Sequence, residues 1–281
     1  MPGGVSPTPS SDRRLEREAA KRHRHRRGQA IAALSSVVVL GGLATLILTS
    51  PGWPEVRETF FNWEVFKESF PDVLKAFWLD VKIFLVAELA ILVVGLFVAM
   101  LRIARSPAMF PVRLLSVVFV DLFRGIPTIL LVFLIGFGVP ALRLDGVPTD
   151  PVILGAIALV LSYSAYVAEV YRAGINSVHR GQRDAALAVG LTETQAMRHV
   201  ILPQAVRRVA PPLLNDFVAL QKDVALISIL GPLEAFREAQ IIEALTFNFT
   251  PLVAAALLYL AVTVPTARIV DRLGGTEGAV R

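Results

Sequence analysis

The sequence predicts an all-α, polytopic membrane protein with about six transmembrane helices, and three observations lead there. The chain of 281 residues is 54% hydrophobic, with a mean hydropathy of +0.61, whereas soluble domains are roughly 45–50% apolar even with glycine counted. Its apolar residues gather in runs close to the ~20 residues a helix needs to cross the hydrocarbon core. No run alternates with the period of two that a membrane β-barrel requires.

Taken in order, residues 1–11 are rich in Pro, Ser and Gly and are expected to be disordered. Residues 12–27 are charged and suit a helix lying on the membrane surface, so that 1–28 form a basic cytoplasmic tail. The stretch 31–48 carries no charge and forms the core of a first span at 29–50. A signal peptide competes for this region, because a basic stretch precedes an apolar core. The apolar run is longer than the usual signal core, and Thr49-Ser-Pro-Gly-Trp-Pro54 is a poor cleavage site, so an uncleaved helix is expected. Residues 51–79 mix acids, bases and aromatics and read as an extracytoplasmic segment. Five more spans follow at about 81–101, 114–139, 152–171, 213–230 and 252–269, and a short cytoplasmic tail at 272–281.

Charge placement sets the expected orientation. With the amino terminus inside, the inner segments hold twenty Lys/Arg and the outer segments five, a strong positive-inside bias. Both termini and the loop 172–212 are then cytoplasmic, in a multi-pass protein of the cytoplasmic membrane. The overall charge of +5 does not point to nucleic acid. Residues 1–28 hold eight Lys/Arg and three acids, while the other 253 hold twenty of each, so no basic face is left over. A basic stretch beside an apolar span reads instead as a topology signal or a contact with anionic membrane lipid. Cysteine is absent, which excludes disulfides, thiol catalysis and thiolate metal sites. The histidines at 23, 25, 179 and 199 are too scattered to suggest a metal centre.

The loop 172–212 reads as short helices joined by breakers. Gly174, Gly181 and Gly190 permit turns, while Pro203, Pro211 and Pro212 are expected to stop helices or mark their first turn. A helix starting at Asp184 would place that acid in its first turn, where the helix dipole favours it. Ala185 and Ala186 are small enough for a partner surface to approach the backbone. Gly190 is expected to end this helix, and residues 193–201 to form a second. Such a knob fits a groove on another protein. The residues alone equally allow a re-entrant or amphipathic surface segment without a partner.

The spacing decides between them by resemblance. Asp184-Ala-Ala-Leu-Ala-Val-Gly190, nine intervening residues and then Val200-Ile-Leu-Pro203 resemble the EAA coupling loop of permease subunits in bacterial ATP-binding-cassette importers. Asp184 stands where that family has Glu, and Val200 where it has Ile. Asp121-Leu-Phe-Arg-Gly-Ile-Pro127, Tyr166-Val-Ala-Glu-Val-Tyr-Arg172 with Gly174, 198–212, and 215–231 with Lys222-Asp223 and Ile227-Ser-Ile-Leu-Gly231 are similar to the polar amino acid permeases of that class. The likeness covers about residues 75–273 and several motifs in order.

The resemblance implies a type I importer transmembrane domain at 80–271, preceded by an extra helix. It implies docking of an ATPase through Asp184, Ala185, Ala186, Gly190, Val200, Leu202 and Pro203. It further implies a dimer of ATPase subunits, a second permease subunit, identical or homologous, and an extracytoplasmic solute-binding protein that delivers an amino acid. No Gly-x4-Gly-Lys-[Ser/Thr] pattern occurs here, so ATP and magnesium would be bound by the partner, and this chain needs no cofactor and carries no catalytic residue.

Charges within spans cost about 2.5–3.5 kcal/mol at mid-membrane and therefore face protein or water. Asp121 and Arg124 are three apart, on one helix face, and can pair. Such a pair either fixes helix packing or lines the substrate pathway. Glu88, alone deep in its span, is the best candidate to meet a cationic amino group, and Glu169 is a further pathway candidate. Gly125 and Pro127 suggest a broken helix. An ion-driven secondary transporter, with Glu88 or Glu169 titrating, is the alternative function, but it leaves the cytoplasmic knob without a purpose. A membrane enzyme would need converging nucleophile, base or metal ligands, and the sequence offers none.

Overall fold

A computed structural model describes residues 9–104 and 106–275, and the chain divides into two compact units, Met1–Glu58 and Thr59–Arg281. The expectations for residues 1–8 and 276–281 lie outside the described residues. In the first unit, α1 (Pro9–Leu48) is one uninterrupted helix, so residues 9–11 are helical rather than disordered. Its apolar end, Ile31–Leu48, is long enough to cross a bilayer, and none of it is buried within the protein. Ser36 and Thr45 donate back to the carbonyls of Ala32 and Gly41 at 2.7 and 2.8 Å, which satisfies both hydroxyls without water. The short helix α2 (Trp53–Phe60) follows.

The second unit begins with a helix longer than the span expected at 81–101. Helix α3 runs from Trp63 to Ile103, so residues 63–79 are helical and continuous with the span expected to start at 81. Asn62 starts the helix early, its side chain accepting from the amides of Glu64 and Val65 at 3.0 and 3.2 Å, as an N-cap does. Pro71 removes one intrahelical donor, yet Val73 beside it is buried against Ala235, Ala239 and Ala255. Tertiary packing outweighs the proline.

Helices α4 (Phe110–Gly125) and α5 (Thr128–Gly136) replace the single span expected at 114–139, and they meet at 104°. Ile126, preceding Pro127, is extended (φ −95°, ψ 130°), as steric contact with a following proline ring dictates. After the turn α6 (Gly138–Ala141) comes α7 (Pro151–Asn176), the central helix. Ile83, Phe84, Ala87 and Ile91 of α3 interlock with Leu159, Tyr163 and Val167 of α7 in the largest core cluster. Two short helices, α8 (Arg180–Ala188) and α9 (Glu193–Ala196), lead through a π-helical turn at Met197–Ile201 into α10 (Leu202–Asp223). A 3₁₀ segment, Val224–Leu230, closes α10 onto the core. Helices α11 (Ala235–Thr246) and α12 (Thr250–Gly275) complete the chain.

Pro203 lies in the first turn of α10, as expected. Pro211 and Pro212 do not stop a helix, because α10 passes through both. Among the described residues four helices are long and apolar enough to cross a bilayer, or five if the bent α4–α5 pair counts as one span, where the sequence predicts about six. The stretch 213–230, which carries Asp216, Lys222 and Asp223, is not among those that length and composition single out. Among the described residues there is no strand.

Candidate functional site

The segment 172–212 folds into an angled pair of short helices held by their own backbone. Helix α8 begins at Arg180, where the Nδ1 of His179 accepts from the amide of Gly181 at 3.1 Å. Asp184 therefore sits in the second turn rather than the first, and the dipole argument for it does not apply. Its side chain is exposed, as is Ala185, while Ala186 is 5% exposed and faces inward.

Beyond α8 the chain closes a Schellman turn. Leu191 N–H donates to Ala186 O at 3.1 Å and Gly190 N–H to Leu187 O at 3.0 Å, the paired bonds of that motif. Gly190 occupies its left-handed position at φ +91°, which a side chain disfavours. This accounts for the interval between Ala186 and Gly190, because the turn fixes how far the glycine stands from the buried alanine. Thr192 and Gln195 form a capping box on α9, with bonds of 3.3 and 2.9 Å. Arg183 on α8 grips Glu193 on α9 through both guanidinium–carboxylate contacts. Val200 is half-buried in the π-helical turn, and Leu202 and Pro203 are exposed at the start of α10.

The knob is fixed to the helical body at its base. A Cβ on Gly174 would overlap the side chain of Val209, so glycine lets α7 and α10 touch there. Val178, Ile201 and Ala205 form a small core beside that contact. Arg208 donates to the carbonyl of Ser177 and to its hydroxyl. A cleft of about 1120 Å³ opens between the end of α7 and the knob, lined by Asn176, Arg180, Asp184, Glu193 and Met197 among others.

Glu169 stands just above this base. Arg102 donates to its Oε2 at 2.6 Å, Arg172 Nε to the same oxygen at 3.0 Å, and Arg172 Nη2 to Oε1. Both carboxylate oxygens are thus engaged by cations, which ties the end of α3 to α7. That arrangement suits a clamp and leaves no free carboxylate for a titrating role. The expected Asp121–Arg124 pair is not formed. Both side chains are exposed, and the Arg124 guanidinium lies 5.3 Å from the centre of the Tyr166 ring, a cation–π contact.

Glu88 is half-buried on α3 and feels the charge of Asp216 on α10. One oxygen of Asp216 is buried without a hydrogen-bond partner. Farther along α10, Tyr163 donates to Asp223 at 2.8 Å. Sequence reasoning missed a second acidic site, Asp80 with Glu234. Asp80 binds the amide next to Glu234 from 155 residues away, and no local pattern links positions so far apart.

A family model for the inner membrane component of binding-protein-dependent transport systems matches residues 91–275. This chain belongs to that family. Among its relatives is the probable glutamine ABC transporter permease protein GlnM of Bacillus subtilis, strain 168, 39% identical over 176 residues, or 62% of this chain and 78% of the relative. The arginine transport system permease protein ArtQ of the same strain is 31% identical over 190 residues, 67% of this chain and 84% of its own length. The crystal structure of an amino acid ABC transporter with histidines superposes with a TM-score of 0.66 at 29% identity, covering 73% of this chain and 94% of that one. The inward-facing MetNI methionine ABC transporter shares the fold at 19% identity, with a TM-score of 0.61 over 73% of this chain and 95% of its own. The inner membrane component fold thus begins within α3, and the helix α1 lies outside the matched residues.

Proposed function

We propose that this chain is the permease subunit of an importer that carries a polar or charged amino acid across the cytoplasmic membrane, driven by a separate ATPase. The amino acid class is supported by the relatives, which include a probable glutamine permease and an arginine permease. The single observation that carries the coupling is the knob at 180–201, exposed at Asp184 and Ala185, pre-shaped by its Schellman turn and rooted on α7 and α10. With both termini and this knob cytoplasmic, a dimer of ATPase subunits would grip one knob on each of two permease subunits. An extracytoplasmic binding protein would deliver the amino acid on the other side.

The mechanical path is short. The π-helical turn and α10 run without a break from the knob to Asp216 and Asp223, so a displacement of the knob reaches the acidic groups as a rigid-body motion. Glu169 makes α3 and α7 move together. ATP needs only to favour one arrangement of the two permease bundles over the other. Glu88 and Asp216 then offer negative charge to an ammonium group in the pathway, an attraction strengthened by the low dielectric around them. The test is ATP-driven uptake by the complete transporter in proteoliposomes carrying Ala185→Trp. Uptake should be lost while the amount of inserted protein is normal, because Ala185 is exposed. Normal uptake in this variant excludes docking at the knob.

A further inference from the structure

Helix α4 and the helices after its bend make up one broken apolar span, Pro107–Gly125 with Thr128–Ala141. One face of α4 is left uncovered by the rest of the chain. Leu114, Val118 and Leu122 are exposed on it, and so is Asp121. Spacings of three and four residues bring these side chains to one side of the helix. The apolar members would suit lipid. The carboxylate among them would not, because a charge within a span is found facing protein or water. Asp121 and Arg124 stand near the middle of this stretch, with apolar residues before and after them.

Arg124 flanks the same face and is also exposed. Tyr166 holds it in place twice over. The hydroxyl donates to the Arg124 carbonyl at 3.2 Å, and the ring centre lies 5.3 Å from the guanidinium. Stacking of this kind occupies the face of the cation and leaves the N–H groups at its edge for a carboxylate. Among the described residues neither Arg124 nor Asp121 has an ion-pair partner. The two are close enough along the helix to meet, yet they do not.

One surface thus presents a carboxylate and a guanidinium side by side, each lacking its opposite charge within the chain. Such a surface is its own complement. A two-fold axis sets the same patch of two subunits face to face, so that each group meets the other kind in its partner. The exposed leucines and Val118 would shield both contacts from water, as the rim of a binding surface does. Acyl chains provide neither charge. We propose that the α4 face around Asp121 joins two copies of this chain, through reciprocal ion pairs between Asp121 of one protomer and Arg124 of its partner. The permease pathway is then a homodimer of this chain. The proposal rests on the proposed function only in taking two permease subunits to meet in the membrane, and on neither the ATPase nor the substrate.

Self-association of the full-length chain in lipid vesicles, read by copurification of two differently tagged copies, tests it. The unaltered chain should associate with itself. Asp121→Arg alone sets arginines against arginines at both contacts, and Arg124→Asp alone sets acids against acids. Each should weaken self-association by roughly tenfold or more. Mixed together, the two variants regain opposite charges at both contacts and should associate as the unaltered chain does. That recovery also shows that both variants fold, and pairing within one chain cannot produce it. An unaltered chain that stays single, a variant that associates with itself as strongly as the unaltered chain, or a mixture that stays apart each overturns the proposal. The first result assigns the face to a sibling permease, and the second leaves Asp121 and Arg124 facing water. None of these results bears on docking at the knob, which uptake by the Ala185→Trp variant decides.

Discussion

The knob at 180–201 and the cluster around Asp80 hold their polar groups in opposite ways. Within the knob, Arg183 and Glu193 are ten residues apart, and the cap bonds of Thr192 and Gln195 span three. At the cluster, Asp80 meets an amide 155 residues away, and Tyr259 meets Glu234 across 25. The first shape forms from its own short stretch of chain and stays exposed, as a surface that another protein must grip should. The second exists only after three helices have packed, so its loss is felt as stability. Substitutions in the two regions should therefore separate uptake from melting temperature.

The sharpest break comes at Gly190. Valine there must adopt the left-handed conformation at φ +91° or abandon the Schellman turn, at a cost of order 1–3 kcal/mol. Refolding of the turn would re-aim α9 and the exposed Val189 beside it. Gly190→Val should cut ATP-driven uptake by roughly tenfold or more, since 1.4 kcal/mol is a factor of ten, while melting temperature and membrane insertion barely change. A large fall in melting temperature with uptake preserved would reverse the comparison, making the knob a structural element.

Glu169 lies between the two regimes, because its partners come from α3 and from its own helix. Removing its charge in Glu169→Gln leaves Arg102, whose side chain is 12% exposed, without a counter-charge. Breaking a fully buried pair costs 3–5 kcal/mol, and the partial exposure of Glu169 and Arg172, 24% and 35%, reduces this to about 2 kcal/mol. Thermal unfolding of the variant should show that loss, and Arg172→Gln a smaller one. Equal melting of Glu169→Gln and the unaltered chain would show that the clamp contributes nothing to holding α3 on α7.

The same contrast explains what the sequence could and could not reveal. The spacing of Ala186 and Gly190 was legible because a Schellman turn is written in consecutive residues. The break at Pro127 was legible because proline acts on its immediate neighbour. The early start of α3 was missed although Asn62 is a local cap, since the polar residues of 63–79 set the start of the apolar span at 81. Pro211 and Pro212 misled for the complementary reason. Their local effect is real, but the contact of Val209 on Gly174 holds α10 in place beside them. The two arginines on Glu169 and the meeting of Asp80 with Glu234 depend on helix packing, which no window of the sequence contains.

The smallest effect is expected within the knob itself, and it tests how local the knob is. Arg183 and Glu193 face solvent, with side chains 31% and 60% exposed. Exposed pairs are worth about 0.2–1 kcal/mol, with bidentate geometry at the upper end, and they weaken with salt. Arg183→Ala should then lower uptake by less than about threefold, and the deficit should shrink as ionic strength rises, because salt already weakens the pair in the unaltered chain. A double-mutant cycle with Glu193→Ala isolates the coupling between the two side chains. If it exceeds about 1 kcal/mol, the angle between α8 and α9 is set by this pair. A smaller value leaves the angle to the backbone turn at Gly190, as the hydrogen bonds of Leu191 and Gly190 to α8 require.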